Sequence, residues 1–437
     1  MPLHKSIAKL KTVLKGSFFK SLLMLLSGAT VAQIIPTAIS PILSRLYNPE
    51  HFGVLATFTS VTAVLIAVST LQFESAILLP KRRGEAKFIL GLSLMFPLML
   101  GLLSAILIMV GNEALASALN LESAGWMFYL IPIFVIAGGW YNAMAGWFLR
   151  EKQFKTLTIR QVGMSLGTAF SKLALGILKF LQVGLILGTL IGQLTSLFVF
   201  VYQLFKVERM MSFFPSVKSA KKLIMRYIDF AKYTTWQGFF DTISVAAVLW
   251  IFNHYLTIEE VGLYAFTLAI VQKPITLIST QVGKVYFQKV IELRNNRQRI
   301  FPFSLKIFIV GIASSLLLFT PIVTFSDEIF SLVFGIEWSK AGAVAANISP
   351  FIIFKFASRP LSTIPQLLNK NKQFFYVGIV RTLIPPIMYA LLLNKIGFLE
   401  SVLFVSISLA LLISLIVYWL LKLTMEVDKE IMINLNR

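Results

Sequence analysis

Lys355, Arg359, Ser362 and Gln366 stand at i, i+4, i+7 and i+11 inside a long apolar run. A helix there would carry two cations and two neutral polar groups down one face. The same spacing returns in Gln161, Ser165, Thr168 and Lys172. Lys273, just before Pro274, and Arg381 lie in two further apolar runs. A lysine or arginine at the lipid-facing centre of a membrane helix costs about 2.5–3.5 kcal/mol on insertion scales. These five cations are therefore expected to face protein or water. Two more stripes accompany them. Thr30, Gln33, Thr37, Ser40 and Ser44 share one face of the first run, which Pro36 and Pro41 should bend. Thr234, Gln237, Asp241 and Ser244 form the other. Acids are few in these runs: Asp241, with Glu74 and Asp229 nearer the ends. The chemistry on offer is electrostatic. A net cationic, water-filled cavity suits an anionic group such as phosphate or pyrophosphate. Asp241 is a candidate ion-coupling site or the charge partner of a lysine. The plainer alternative is polar helix–helix contact with no pathway.

Catalytic signatures are missing from the sequence: it holds no phosphate-binding loop with its lysine, no His-Glu-x-x-His, and no placeable Ser/His/Asp set. The three histidines (His4, His51, His254) make no ligand cluster, and the absence of cysteine removes disulfides and thiolate metal sites. No cofactor or metal is implied, and the reading is a non-enzyme. Energy input would come from ion gradients, membrane potential or substrate flux.

The elements that must position these side chains follow from composition. Of 437 residues, 57% are hydrophobic and 14% charged, with mean hydropathy +0.81. A soluble fold of this size could not cover so much apolar surface. The expected fold is all-α and integral to the membrane. About 20 mostly apolar residues are needed per span, and twelve segments qualify. They lie near 22–44, 53–77, 88–110, 126–148, 157–178, 181–205, 229–252, 261–283, 302–324, 342–367, 374–394 and 398–421. The first is too long for the apolar core of a signal peptide and reads as an uncleaved span. Gly184, Gly188 and Gly192, and Gly163 and Gly167, form small-residue faces for close packing within one half.

A net charge of +21 would suggest nucleic acid in a soluble chain. Here the charge is positional. Twenty-nine of the 40 lysines and arginines fall in alternate loops and the two tails. The opposite loops hold Arg45, Lys179, Lys340 and Lys395. The bias places both termini in the cytoplasm, and nucleic acid is not an expected partner. Lys232 and Lys306 lie near cytoplasmic ends and can snorkel.

The chain also repeats. The hinge Arg45–Ala56 returns as His254–Ala265 at an offset of 209, keeping Glu50/Glu259, Gly53/Gly262 and Ala56/Ala265. Lys152-Gln153-Phe154 returns as Lys372-Gln373-Phe374. Six spans in each half give both halves the same orientation, a parallel repeat. The expected organisation is a six-helix lobe over 1–206, a basic linker over 207–228 and a second lobe over 229–437, around a central cationic cavity. The linker is either a surface amphipathic helix or a solvated loop.

Three stretches carry a resemblance: Ser40–Gly53, Glu74–Lys81 and Trp147–Lys155. They resemble the polysaccharide biosynthesis proteins of the multidrug/oligosaccharidyl-lipid/polysaccharide exporter superfamily, in particular the Wzx-type O-antigen and capsule flippases. The resemblance implies two six-helix lobes around a central cavity. It implies carriage of an undecaprenyl-pyrophosphate-linked oligosaccharide across the bacterial cytoplasmic membrane, with polysaccharide polymerase machinery as a candidate partner. It fixes no site residues. Those come from burial cost: Lys172, Lys273, Lys355, Arg359 and Arg381 for the anion, with Gln33, Thr37, Gln161, Ser165, Gln237, Ser362 and Gln366 as polar lining. A cation-coupled multidrug exporter, a lipid II flippase and a lipid-carrier polymerase are the competing readings. The first would want carboxylates in the cavity, the second extra spans, and the third a sizeable outer loop with candidate residues.

Overall fold

The computed structural model describes residues 17–207, 225, 238–368 and 370–435. Twelve long helices run through the described residues. The first six are α1 (Ser17–Leu46), α2 (Pro49–Ser69), α3 (Arg83–Ala118), α4 (Ile131–Arg150), α5 (Phe154–Ile177) and α6 (Leu181–Val207). The others are α7 (238–255), α8 (Ile258–Asn295), α9 (Phe301–Thr324), α10 (Ser339–Ser358), α11 (Asn371–Ile396) and α12 (Phe398–Leu435). Eight helical segments are long and apolar enough to cross a membrane by length and composition alone. Leu102, Ile106, Leu107, Met109 and Val110 on α3 and Leu411 and Leu415 on α12 are all more than half exposed. So much contiguous apolar surface calls for lipid as its solvent.

The helices group into two compact units. One holds the chain up to Tyr47 and Val54–Ala246; the other holds Asn48–Gly53 and the chain from Ala247 on. Apart from Val207 and Met225, the 207–228 linker lies outside the described residues. The repeat is visible in the packing. In the first unit α3 packs on α4, α4 on α6 and α5 on α6; in the second α9 packs on α10, α10 on α12 and α11 on α12. Each unit has its own apolar core, around Ile77, Trp147 and Phe200 in the first and Tyr286, Leu361 and Leu420 in the second.

The duplicated hinge shows how sequence makes this architecture. Each copy starts a helix with a reciprocal cap. At α2, the Asn48 carboxamide oxygen accepts from the His51 N–H at 3.0 Å, and His51 Nδ1 accepts from the Asn48 N–H at 3.3 Å. At α8, Thr257 Oγ1 accepts from the Glu260 N–H at 3.3 Å, and Glu260 Oε2 accepts from the Thr257 N–H at 2.9 Å. Both satisfy helix-start donors that would otherwise lack partners. Five residues into each hinge helix comes its glycine. A Cβ on Gly53 would collide with the Ile258 carbonyl oxygen, and one on Gly262 with the Pro49 carbonyl oxygen. The contact is reciprocal, because Pro49 and Ile258 are themselves separated by the repeat offset. Phe52 then packs edge-on against Phe266 and the fully buried Trp338.

Several spans differ from the expected ones. The stretch 53–77 is not one helix: α2 ends at Ser69, and Phe73–Ala76 is a separate short helix. The stretch 126–148 begins in a 3-10 helix, Glu122–Leu130, before α4. The stretch 342–367 is not one helix: α10 ends at Ser358, Pro360–Thr363 is a 3-10 turn, and Ile364–Leu367 is a separate short helix. Pro360 brings no backbone N–H to continue the α ladder. Span 7 was expected over 229–252; the described helix covers 238–255, and 229–237 lie outside the described residues. Elsewhere helices outrun the apolar stretch, as where α8 continues through Lys284, Lys289 and Arg294 to Asn295. Beyond α9's start, both oxygens of buried Asp428 on α12 accept from the Ile300 and Phe301 N–H groups at 2.7 and 3.0 Å.

Candidate anion-binding site

The second unit gathers three of the five expected cations. Lys355 sits in the last turn of α10, and Arg359 follows at the point where Pro360 stops the helix. A helix C-terminus presents free carbonyls, which favours cations there. Lys355 Nζ donates to Gln272 Oε1 on α8 at 3.1 Å, and lies 5.0 Å from the centroid of the Phe351 ring. Arg359 and, from α11, Arg381 are near enough for their charges to act on Lys355. Three positive groups thus share one locality, and the Lys355 hydrogen bond is to a neutral carboxamide.

Beside them is a cavity of about 110 Å³ lined by Gln272, Thr276, Ser279, Lys355 and Arg359, with Ile275, Ile352 and Phe356 as apolar walls. None of these lining residues is an acid. The volume is well below the ~300–1,000 Å³ of a whole-molecule site. It suits a small charged group. Gln272, Thr276 and Ser279 stand at i, i+4 and i+7 on α8. They form a stripe beyond those of the sequence analysis, on the same spacing as Gln161, Ser165 and Thr168. Ser362 is half-buried in the 3-10 turn and donates to the Arg359 carbonyl at 2.7 Å. Gln366 is exposed on the short helix beyond.

The remaining candidates lie elsewhere. Lys172 on α5 is half-buried, with its stem against Gly188 of α6, and its carbonyl accepts the Tyr47 hydroxyl at 2.7 Å. Gly184, Gly188 and Gly192 of α6 all pack against α5, so the glycine face serves helix packing inside one unit. Ser165 donates to the Ala32 carbonyl of α1 at 2.7 Å, and Thr37 to the Gln33 carbonyl at 3.2 Å. These two hydroxyls are engaged with backbone. Gln33 and Gln161 are half-buried on α1 and α5. Asp241 is exposed on α7. Gln237 and the Lys273 side chain lie outside the described residues.

Residues 42–345, more than half of the chain, match the model of the family described as polysaccharide biosynthesis protein. The chain belongs to that family. No curated protein matches the chain. Among solved structures it is similar to an inward-facing multidrug resistance MATE transporter of the MOP superfamily. That likeness has TM-score 0.68 and 14% identity, over 95% of this chain and 99% of the other. It is also similar to the lipid II flippase MurJ in an inward closed conformation, with TM-score 0.67 and 13% identity, over 93% and 90%. A third is a MOP superfamily transporter from Pyrococcus furiosus whose binding pocket is described as having reverse polarity, with TM-score 0.61 and 15% identity, over 95% and 98%. At such identities the likeness establishes fold: the chain is a multi-pass, all-helical membrane protein with the two-lobe, twelve-helix fold of these structures.

Proposed function

We propose that the protein is a flippase that carries an undecaprenyl-pyrophosphate-linked oligosaccharide from the inner to the outer leaflet of the bacterial cytoplasmic membrane, by alternating access. The product would feed O-antigen, capsule or exopolysaccharide synthesis, with the lipid bilayer as its medium and polymerase machinery downstream. The observation that carries the reading is the Lys355, Arg359 and Arg381 cluster beside a cavity whose lining has no acid. Gathering three cations in an apolar unit costs energy through desolvation and mutual repulsion. An anionic ligand offsets that cost, and a pyrophosphate supplies several acceptor oxygens to do so. Lys172 and Lys273 are assigned to the same anion's path. The neutral stripes (Gln33, Thr37, Gln161, Ser165, Gln237, Ser362, Gln366) are assigned to sugars. Asp241 is assigned as a charge partner before an ion-coupling site. Membership in the polysaccharide biosynthesis family supports the substrate class. Both termini are assigned to the cytoplasm on the charge bias of the loops.

Deleting the gene and measuring both surface polysaccharide and carrier-linked oligosaccharide tests this. The expected result is loss of surface polymer with complete repeat units held on the cytoplasmic leaflet. Single repeat units reaching the outer face unpolymerised would indicate a polymerase. Normal polysaccharide with new drug sensitivity would indicate an exporter, and either result would overturn the assignment.

A further inference from the structure

A second cavity, of about 400 Å³, lies wholly within the first unit. Its polar lining is Glu74, Ser75, Asn142, Arg160 and Gln161, and Leu149 stands among its apolar walls. Arg160 is one of the 29 cations counted with the alternate loops and tails in the sequence. The structure buries it on α5, where it is 7% exposed. Its guanidinium lies 3.8 Å from the centroid of the Tyr141 ring and 5.0 Å from that of Phe200. Nε and Nη1 are buried with no hydrogen-bond partner. An unmatched buried charged donor is costly. Aromatic contacts offset part of that cost through the faces of the guanidinium. They leave Nε and Nη1 unsatisfied.

We propose that this cavity binds a carboxylate-bearing sugar residue of the transported glycan. The volume is in the range of small-molecule sites. A carboxylate is planar and pairs with the edge of a guanidinium, the part the rings leave open. Asn142 and Gln161 each offer a donor and an acceptor to sugar hydroxyls, and Glu74 is a further acceptor. Glu74 already accepts the Thr70 hydroxyl on one oxygen, which fixes its carboxylate in place. The balance of charge separates this site from the one in the second unit. There, three cations meet a lining with no acid. Here, one guanidinium shares the walls with a carboxylate, which disfavours a phosphate dianion and tolerates a singly charged acid rich in hydroxyls. The assignment rests on the flippase reading for the glycan, and the experiment separates the two.

The full-length protein in lipid nanodiscs is titrated calorimetrically with glucuronate, glucose and inorganic pyrophosphate. Glucuronate is expected to bind saturably, at least tenfold more tightly than glucose. Arg160→Gln should weaken glucuronate at least tenfold and leave pyrophosphate unchanged. Leu149→Trp, which enlarges an apolar wall of the cavity at a position 40% exposed, is the second variant and should weaken glucuronate likewise if Arg160→Gln fails to fold. Lys355→Ala should leave glucuronate unchanged. Absence of saturable glucuronate binding, equal binding of glucose, or insensitivity to the cavity variants overturns the proposal. Glucuronate binding without pyrophosphate binding keeps this site and counts against the flippase reading alone.

Discussion

Replacing Lys355 and Arg359 together with alanine is expected to abolish export of surface polysaccharide while the protein still inserts in the membrane at normal abundance. The argument is one of sign as well as size. A hydrogen bond to a charged group contributes about 1.5–3 kcal/mol. Losing two of them from a bound pyrophosphate weakens it by roughly 10²–10⁴-fold. Stability should move the other way. Lys355 donates to a neutral partner, Gln272, and has the charges of Arg381 and Arg359 close by. Removing two cations of the three relieves repulsion, so the melting temperature of the free protein should hold or rise. That pattern, function lost and stability kept, is the mark of a residue held for a ligand. A purely structural lysine would lower both. Wild-type polysaccharide in the double variant, or a fall in membrane abundance that accounts for the loss, would refute the assignment.

The second large effect is expected at Gly262. Its Cβ would fall on the Pro49 carbonyl oxygen, and that of Gly53 on the Ile258 carbonyl oxygen. Both obstacles are backbone, so no rotamer change relieves the clash, and the two chains must separate. Overpacking of this kind costs about 1–3 kcal/mol and sometimes more. Phe52, wedged between Phe266 and Trp338, would be displaced with it. Gly262→Ala should therefore lower the melting temperature in detergent markedly, and Gly262→Val should prevent accumulation of folded protein. Gly163 on α5 and Gly378 on α11 are the controls, because a Cβ at either meets nothing within 4 Å. Alanine there should stabilise by up to about 1 kcal/mol, the ordinary helix-interior gain over glycine. Equal effects at Gly262 and at the two controls would show that the close approach of the hinge copies is not what the glycine serves.

Much of the architecture could be read from the chain because membrane helices impose one demand, a long apolar run, and each run is visible locally. The repeat was legible for a similar reason. The hinge needs a cap residue and, five residues after it, a glycine, and both needs recur 209 residues later as Thr257 and Gly262. What escaped were features set by depth and by tertiary neighbours. Hydropathy carried 342–367 through Pro360 as one span, although the proline that ends α10 stands in the sequence. Arg160 looked like one more loop charge, since counting charges along a chain does not register whether tyrosine and phenylalanine rings will enclose one of them. Lys355, Arg359 and Arg381 stand out by cost in the sequence, and their proximity shows only once the second unit is folded. Gln272, Thr276 and Ser279 carry no such cost, and only the i, i+4, i+7 spacing they share with Gln161, Ser165 and Thr168 marks them. The hydroxyls of Ser165 and Thr37, read as lining, turned out to bond to backbone carbonyls.

The most direct measurement reconstitutes the purified protein in liposomes with a fluorescent polyprenyl-pyrophosphate oligosaccharide and follows its accessibility to an impermeant quencher. The account predicts that the wild-type protein makes the inner-leaflet pool accessible, that the Lys355→Ala/Arg359→Ala protein does not, and that a polyprenyl chain lacking the pyrophosphate is not moved. Accessibility no faster than in protein-free liposomes, or equal movement of the uncharged chain, would contradict it.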